Sequence, residues 1–326
     1  MADLQSTIEE LWERRAEIQA GDTDADAAVT EAIDLLDRGE ARVAEIVDDE
    51  VVVHAWLKQA ILLLLLSLGV SLVTQGALLA LEGVGVDPGH PGAQACATLA
   101  TFAIVVAYGI RRSGAPWREV LPLGPVPLAL LAPMVVAVIG VGILLSEADN
   151  VLQSVLPPPA WLERMFAELA GGQRSLWGSF ALLVVAAPVT EETLFRGVIL
   201  RGFLGRYAIR RAIVVSALLF AVFHLNPWQF LGAATAGLLF AWWRAATGSL
   251  LPGLVCHALN NAIPILAASV GGLRIPGYAG VPAGAVEFQP WWFDALGVAL
   301  AAGGLWLVRR RLQRTARLTT EPPAVG

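Results

Sequence analysis

From residue 59 onward the chain is a succession of apolar runs of 13 to 23 residues separated by short polar breaks. About 20 such residues span a bilayer as a helix, so the pattern predicts membrane-crossing helices. They are expected near 59–81, 93–110, 126–146, 176–204, 212–225, 229–246, 249–269 and 291–308. The implied fold is all-α: a polytopic membrane bundle of about eight transmembrane helices. The first 58 residues read differently. LQSTIEELWERRAEI (4–18) places apolar residues at helical spacing among acids, AVTEAIDLLDRG (28–39) ends at Gly39 as helices often do, and Val51 to Val53 are strand-like. They form a small soluble helical module, too short to bury a large core alone.

Composition sharpens this division. The chain is 56% hydrophobic and 15% charged, against about 45–50% and about 25% in soluble domains. Residues 1–58 hold 16 acidic and 5 basic side chains, whereas 59–326 hold 12 and 17. The organisation read from this is an acidic module (1–58), a transmembrane bundle (59–310) and a short tail (311–326). The acidity belongs to the first part alone, and no basic tract points to nucleic acid. With the N-terminus in the cytoplasm, the arginines at 111, 112 and 118, at 201, 206, 210 and 211, at 244, and at 309 to 311 all fall on the cytoplasmic side. That is the positive-inside rule, and it predicts both termini on the cytoplasmic side of a bacterial inner membrane. Cys96 and Cys256 lie far apart in apolar runs and read as packing thiols.

Against this background a few residues are out of place. Glu191, Glu192, His224 and His257 lie within the apolar runs, where ionisable groups are kept mostly for chemistry. They fall in three short patterns: EETLFR at 191–196, FAVFH at 220–224 and HALNN at 257–261. At helical spacing Glu192 and Arg196 are neighbours and can pair, while Glu191 points about 100° away and is left available. His257 and Asn261 also share a face, and Phe220 lies one turn from His224. At ~1.5 Å rise per residue the three patterns reach overlapping depths. Pro188, three residues before Glu191, bends that helix. A base for water and donors for an oxyanion are what amide hydrolysis needs. Glu191, His224 and His257 also form the two-His, one-carboxylate set of a catalytic zinc with an open position. Without HExxH the residues leave a zinc and a metal-free scheme open.

The three patterns resemble the EExxxR, FxxxH and HxxxN motifs of the CAAX-protease and bacteriocin-processing (CPBP) family of intramembrane endopeptidases, over about 176–269. The resemblance implies that Glu191 activates water with help from His224. It implies that His257 and Asn261 stabilise the oxyanion and that Glu192 and Arg196 are structural. The family is often described as metalloprotease, and a glutamate-dependent metal-free hydrolysis has also been proposed for it. Separately, ERRAEI (13–18), LLDRGEARVAE (35–45) and HAWLKQAILL (54–63) resemble the N-terminal helical domain of tetrahydrodipicolinate N-succinyltransferase. That family's catalytic body is a hexapeptide-repeat β-helix, and no such repeat follows here. Catalysis of succinyl transfer is therefore not expected.

Two readings compete for the bundle. One is a protease acting on a membrane-associated peptide or protein; the other is a non-proteolytic membrane protein whose polar cavity binds a ligand or serves an immunity or scaffold role. Further candidates weigh less. Trp242 and Trp243 are expected in an aromatic interface belt, Trp291 and Trp292 as an interfacial anchor, and His90 as a solvated loop residue. Asn226 and Asn260 are expected to hydrogen-bond near the motif residues.

Overall fold

A computed structural model of the chain describes residues 46–47, 50–51, 90–162, 164, 176–269, 273–281 and 285–320. The chain divides into two compact units, Met1–Leu65 and Leu66–Gly326. In the first, the described residues are two short antiparallel strands, β1 (Ile46–Val47) and β2 (Glu50–Val51). The motifs that resemble the transferase module, and the helix expected over 59–81, lie outside the described residues.

The second unit is helical. Its elements are α1 (Pro91–Ser113), the short α2 (Trp117–Val120), α3 (Leu128–Val155), the composite α4 (176–204), α5 (Ile209–Phe223), α6 (Pro227–Thr247), α7 (Leu251–Ser269) and α8 (Trp291–Thr320). Seven of the eight expected helices occur here. Among the described residues, Gly92–Ser113, Leu128–Val155 and Trp291–Arg314 are long and apolar enough to cross a membrane. Two helices outrun their apolar cores. α3 continues through SEADNVLQSV to Leu156, where Pro157 disfavours further helix in the residue before it. α8 continues to Thr320, so the tail expected from 311 begins as helix.

Small residues decide how the bundle packs. Lipid tails provide no hydrophobic drive between helices, so close contact of backbones takes its place. A Cβ at Gly140 of α3 would strike the backbone of Ala301 in α8, and one at Gly304 would lie 2.6 Å from the Ala137 nitrogen. Gly237 of α6 meets Ala217 of α5 in the same way, at 2.9 Å from its Cα. The core between α3, α6, α7 and α8 holds Met134, Ala137, Val138, Phe240, Trp243, Cys256 and Val308. This corrects one expectation: Trp243 is fully buried and belongs to the core, not to an interface belt. Cys256 is the expected packing thiol, but Cys96 is exposed. Trp291 and Trp292 are exposed at the start of α8, as an anchor requires.

Three details place the site. α4 is one helix of alternating register: α over Leu176–Phe180 and Ala187–Glu192, and π over Ala181–Ala186 and Thr193–Ile199. α5 ends at Phe223 with His224 as its cap. Leu225 then takes a left-handed conformation, φ 49°. For a residue with a Cβ this costs roughly 1–2 kcal/mol, and it turns the chain at once into α6. There Asn226 caps the new helix by accepting the Trp228 N–H at 3.0 Å. The corner therefore fixes the position of His224 from both sides.

Candidate active site

α4 carries Glu191 and Glu192, and its irregular register explains how they are presented. Within the first π segment the N–H of Ala187 bonds to the carbonyl of Leu182, five residues back. The next bond of that series would run from residue 188 to Leu183, but Pro188 has no N–H. The Leu183 carbonyl is instead satisfied from α7: Asn261 Nδ2 donates to it at 2.8 Å. Threonine hydroxyls serve neighbouring carbonyls, Thr190 those of Ala186 and Ala187, and Thr193 those of Val189 and Thr190. A helix of broken register at membrane depth needs such substitutes, since no water is at hand.

Around this break in register the titratable groups assemble. Glu192 Oε1 lies 3.0 Å from the guanidinium of Arg196, and both side chains are wholly buried. The same oxygen accepts a hydrogen bond from His257 Nδ1 at 3.0 Å. A carboxylate accepts from a proton-bearing nitrogen, so Glu192 holds Nδ1–H and aims Nε2 of His257. Nε2 then faces Glu191 Oε2 at 3.7 Å. That gap is too long for a hydrogen bond, and Glu191 Oε2 is buried with no hydrogen-bond partner. An unpartnered buried carboxylate oxygen beside an aimed imidazole is costly to leave idle. It is the arrangement expected where a proton is to be handled.

Aromatic rings hold the charged groups in place. The Arg196 guanidinium lies 4.2 Å from the centroid of Phe220 and 5.5 Å from that of Phe240. Both rings also flank His257, at 6.1 and 5.6 Å. Phe220 packs edge-on against His224 at 4.9 Å, so it stands between the two histidines. His224 is half-buried, and its Nδ1 donates to the Phe220 carbonyl at 2.9 Å. That bond leaves Nε2 of His224 as the basic nitrogen.

The structure thus brings Glu191, Glu192, Arg196 and His257 into one cluster, with Phe220 against it and His224 beyond that ring. Asn261 reaches α4 through the Leu183 carbonyl. Sequence reasoning did not see the second partner of Glu192, the role of Phe240, or Gly253. A Cβ at Gly253 would sit 2.5 Å from Glu192 Oε2. The signal was a glycine one turn before His257. Asn260 Nδ2 lies 3.4 Å from Asn261 Oδ1, as a supporting bond, while Asn226 caps α6. His90 is exposed but serves as the N-cap of α1, accepting the Gly92 N–H at 3.1 Å. As to zinc, among the described residues no three His, Cys, Asp or Glu side chains gather as a cation site. With Phe220 standing between the two histidines, the Glu191, His224 and His257 set as arranged does not fit a three-ligand zinc.

Fold and site together define a helical membrane protein with a buried carboxylate–imidazole centre. Comparison with known families agrees: residues 173–263 match the family described as Type II CAAX prenyl endopeptidase Rce1-like. The match supports a membrane protease domain of the CPBP type over that segment. Residues 3–66 match the tetrahydrodipicolinate N-succinyltransferase N-terminal family. Over 64 residues the chain is 58% identical to the 2,3,4,5-tetrahydropyridine-2,6-dicarboxylate N-succinyltransferase of Caulobacter vibrioides, covering 19% of this chain and 23% of that one. The enzyme of the same name from Aeromonas hydrophila is 55% identical over 65 residues, 19% of this chain and 24% of that one. The Bordetella pertussis enzyme is 51% identical over 63 residues, covering 19% and 23%. The chain therefore spans about a quarter of the curated relatives it matches, and only their N-terminal module is shared. No solved structure matches the chain significantly.

Proposed function

We propose that the chain is an intramembrane endopeptidase that hydrolyses a peptide bond with water activated by Glu191. The observation that carries this is the pairing of Glu191 Oε2 with His257 Nε2 across 3.7 Å while Glu192 holds Nδ1 of the same ring. Glu191 takes a proton from water, with Nε2 of His224 as the second acceptor, and the hydroxide attacks the peptide carbonyl carbon. Nε2 of His257 faces the developing oxyanion and donates to it, while the Arg196 guanidinium balances the Glu192 carboxylate. Asn261 Nδ2 carries two N–H groups; one holds the Leu183 carbonyl and the other serves the oxyanion. Glu191 then delivers its proton to the leaving nitrogen as the C–N bond breaks, so one water is consumed and an amine and a carboxylic acid result. Glu192, Arg196 and Phe220 position the ring.

The substrate is a membrane-associated peptide or protein, met within the bilayer of a bacterial inner membrane. The arginine pattern supports cytoplasmic termini. The test is Glu191→Gln in the full chain, scored for cleavage of a membrane-tethered reporter and for insertion. Cleavage is expected to vanish with insertion intact. If cleavage or cellular function persists, the peptidase reading fails.

A further inference from the structure

A cavity of about 580 Å³ lies between α3, α6 and α7, next to the centre described above but lined by none of Glu191, His224 or His257. Its volume suits a ligand of drug or short-peptide size. Its walls are mainly apolar, and one end holds Asp149, Gln153 and Ser146. Among the described residues no lysine or arginine lines it, so the carboxylate of Asp149 meets no described cationic side chain there. Asp149 Oδ2 accepts one bond, from Gln153 Nε2 at 2.6 Å. The other end reaches Phe240 and Asn260. Phe240 packs on the His257 ring, and Asn260 bonds to Asn261. The long void thus starts one side chain away from the reacting groups and ends at an acid.

We propose that this cavity is the substrate slot. It takes an extended, mainly apolar peptide segment, and Asp149 reads a basic side chain on it. The inference rests on the peptidase reading. Val138 packs with Phe240 at the inner end, and Asp149 follows it by eleven residues on α3, hence roughly 16 Å along the slot at ~1.5 Å rise. An extended peptide advances about 3.3 Å per residue. The basic residue therefore sits about five positions from the scissile bond. A helical segment would place it about eleven positions away, so the count also reports the substrate's conformation.

The test uses the purified full chain in lipid nanodiscs and a set of synthetic apolar peptides in which one lysine is moved position by position, with cleavage read by mass spectrometry. Wild-type protein is expected to favour peptides with lysine four to six residues from the cut by about tenfold over lysine-free peptides. In Asp149→Asn that ratio falls towards one, and in Asp149→Lys it inverts to favour glutamate at the same position. Cleavage that depends on Glu191 but ignores lysine position, or a preference that survives both Asp149 variants, overturns the slot and leaves the peptidase reading standing. Absence of any Glu191-dependent cleavage removes both.

Discussion

Replacing Asn261 with alanine takes the side-chain donor from the Leu183 carbonyl, and the chain itself provides a way to give it back. The bond is 2.8 Å long and links α7 to the π segment of α4. An acceptor left unpaired in a buried place costs ~1–3 kcal/mol, and interhelical hydrogen bonds in bilayers average ~0.6 with a maximum near 1.7. The expected loss is therefore about 1–2 kcal/mol of stability. The cause is specific: Leu183 needs Asn261 because Pro188 offers no N–H. In a Pro188→Ala background residue 188 regains its donor. The helix then either bonds 188 to Leu183 in π register, or returns to α register with Ala187 serving Leu183. Either way Asn261→Ala should cost far less, so the two substitutions should couple by about 1–2 kcal/mol, a factor of roughly 5–30. Reversible unfolding in mixed micelles, run on the two single variants and the double, measures this directly. Equal losses in both backgrounds would refute this account of the register. Peptide cleavage supplies the second readout: a loss of kcat on Asn261→Ala that persists fully beside Pro188→Ala isolates the oxyanion contact from the latch.

Two further outcomes follow from the cluster. Glu192→Gln keeps an acceptor for His257 but leaves the buried guanidinium of Arg196 without its counter-charge. A stability loss of about 3–5 kcal/mol is expected, largely recovered in the double variant with Arg196→Met; thermal unfolding in detergent checks both, and a double no better than the single sinks the pairing. Gly253→Ala adds a Cβ 2.5 Å from Glu192 Oε2. It should lower kcat by about tenfold or more through displacement of Glu192 and His257, even though alanine gains ~1 kcal/mol of helix propensity over glycine. Unchanged turnover in that variant removes Glu192 from the positioning of His257.

Much of the site was legible because a membrane makes polarity informative. Glu191, Glu192, His224 and His257 stood out as residues that lipid rejects, and the i, i+4 spacing of Glu192 and Arg196 predicted the ion pair that is seen. Helix positions were legible for a related reason, since apolar runs between arginine-bearing breaks leave few choices. Other features were hidden because they arise between segments. The π register of α4 depends on Pro188 and on a donor 73 residues later, and no local window contains both. Trp243 shares the pattern of a belt residue, and only the packing of Met134, Phe240 and Val308 makes it core. Gly253 was invisible without the knowledge that a carboxylate fills the room it leaves.

The glycine-lined seam between α3 and α8 bears on how a chain could enter. Where backbones touch with no side chain between them, sliding or parting exposes carbonyls and amides to lipid, so the two helices behave as one stiff plank. Breathing must then occur elsewhere around the slot. α6 forms the facing wall and joins α5 through a strained leucine corner rather than a long loop. Gly237 against Ala217 seams α6 to α5 in the same way, so a small swing of that pair together would open the flank of the slot to the bilayer while α3 stays put. Entry from the side, through the membrane plane, is the route such a division of stiffness favours.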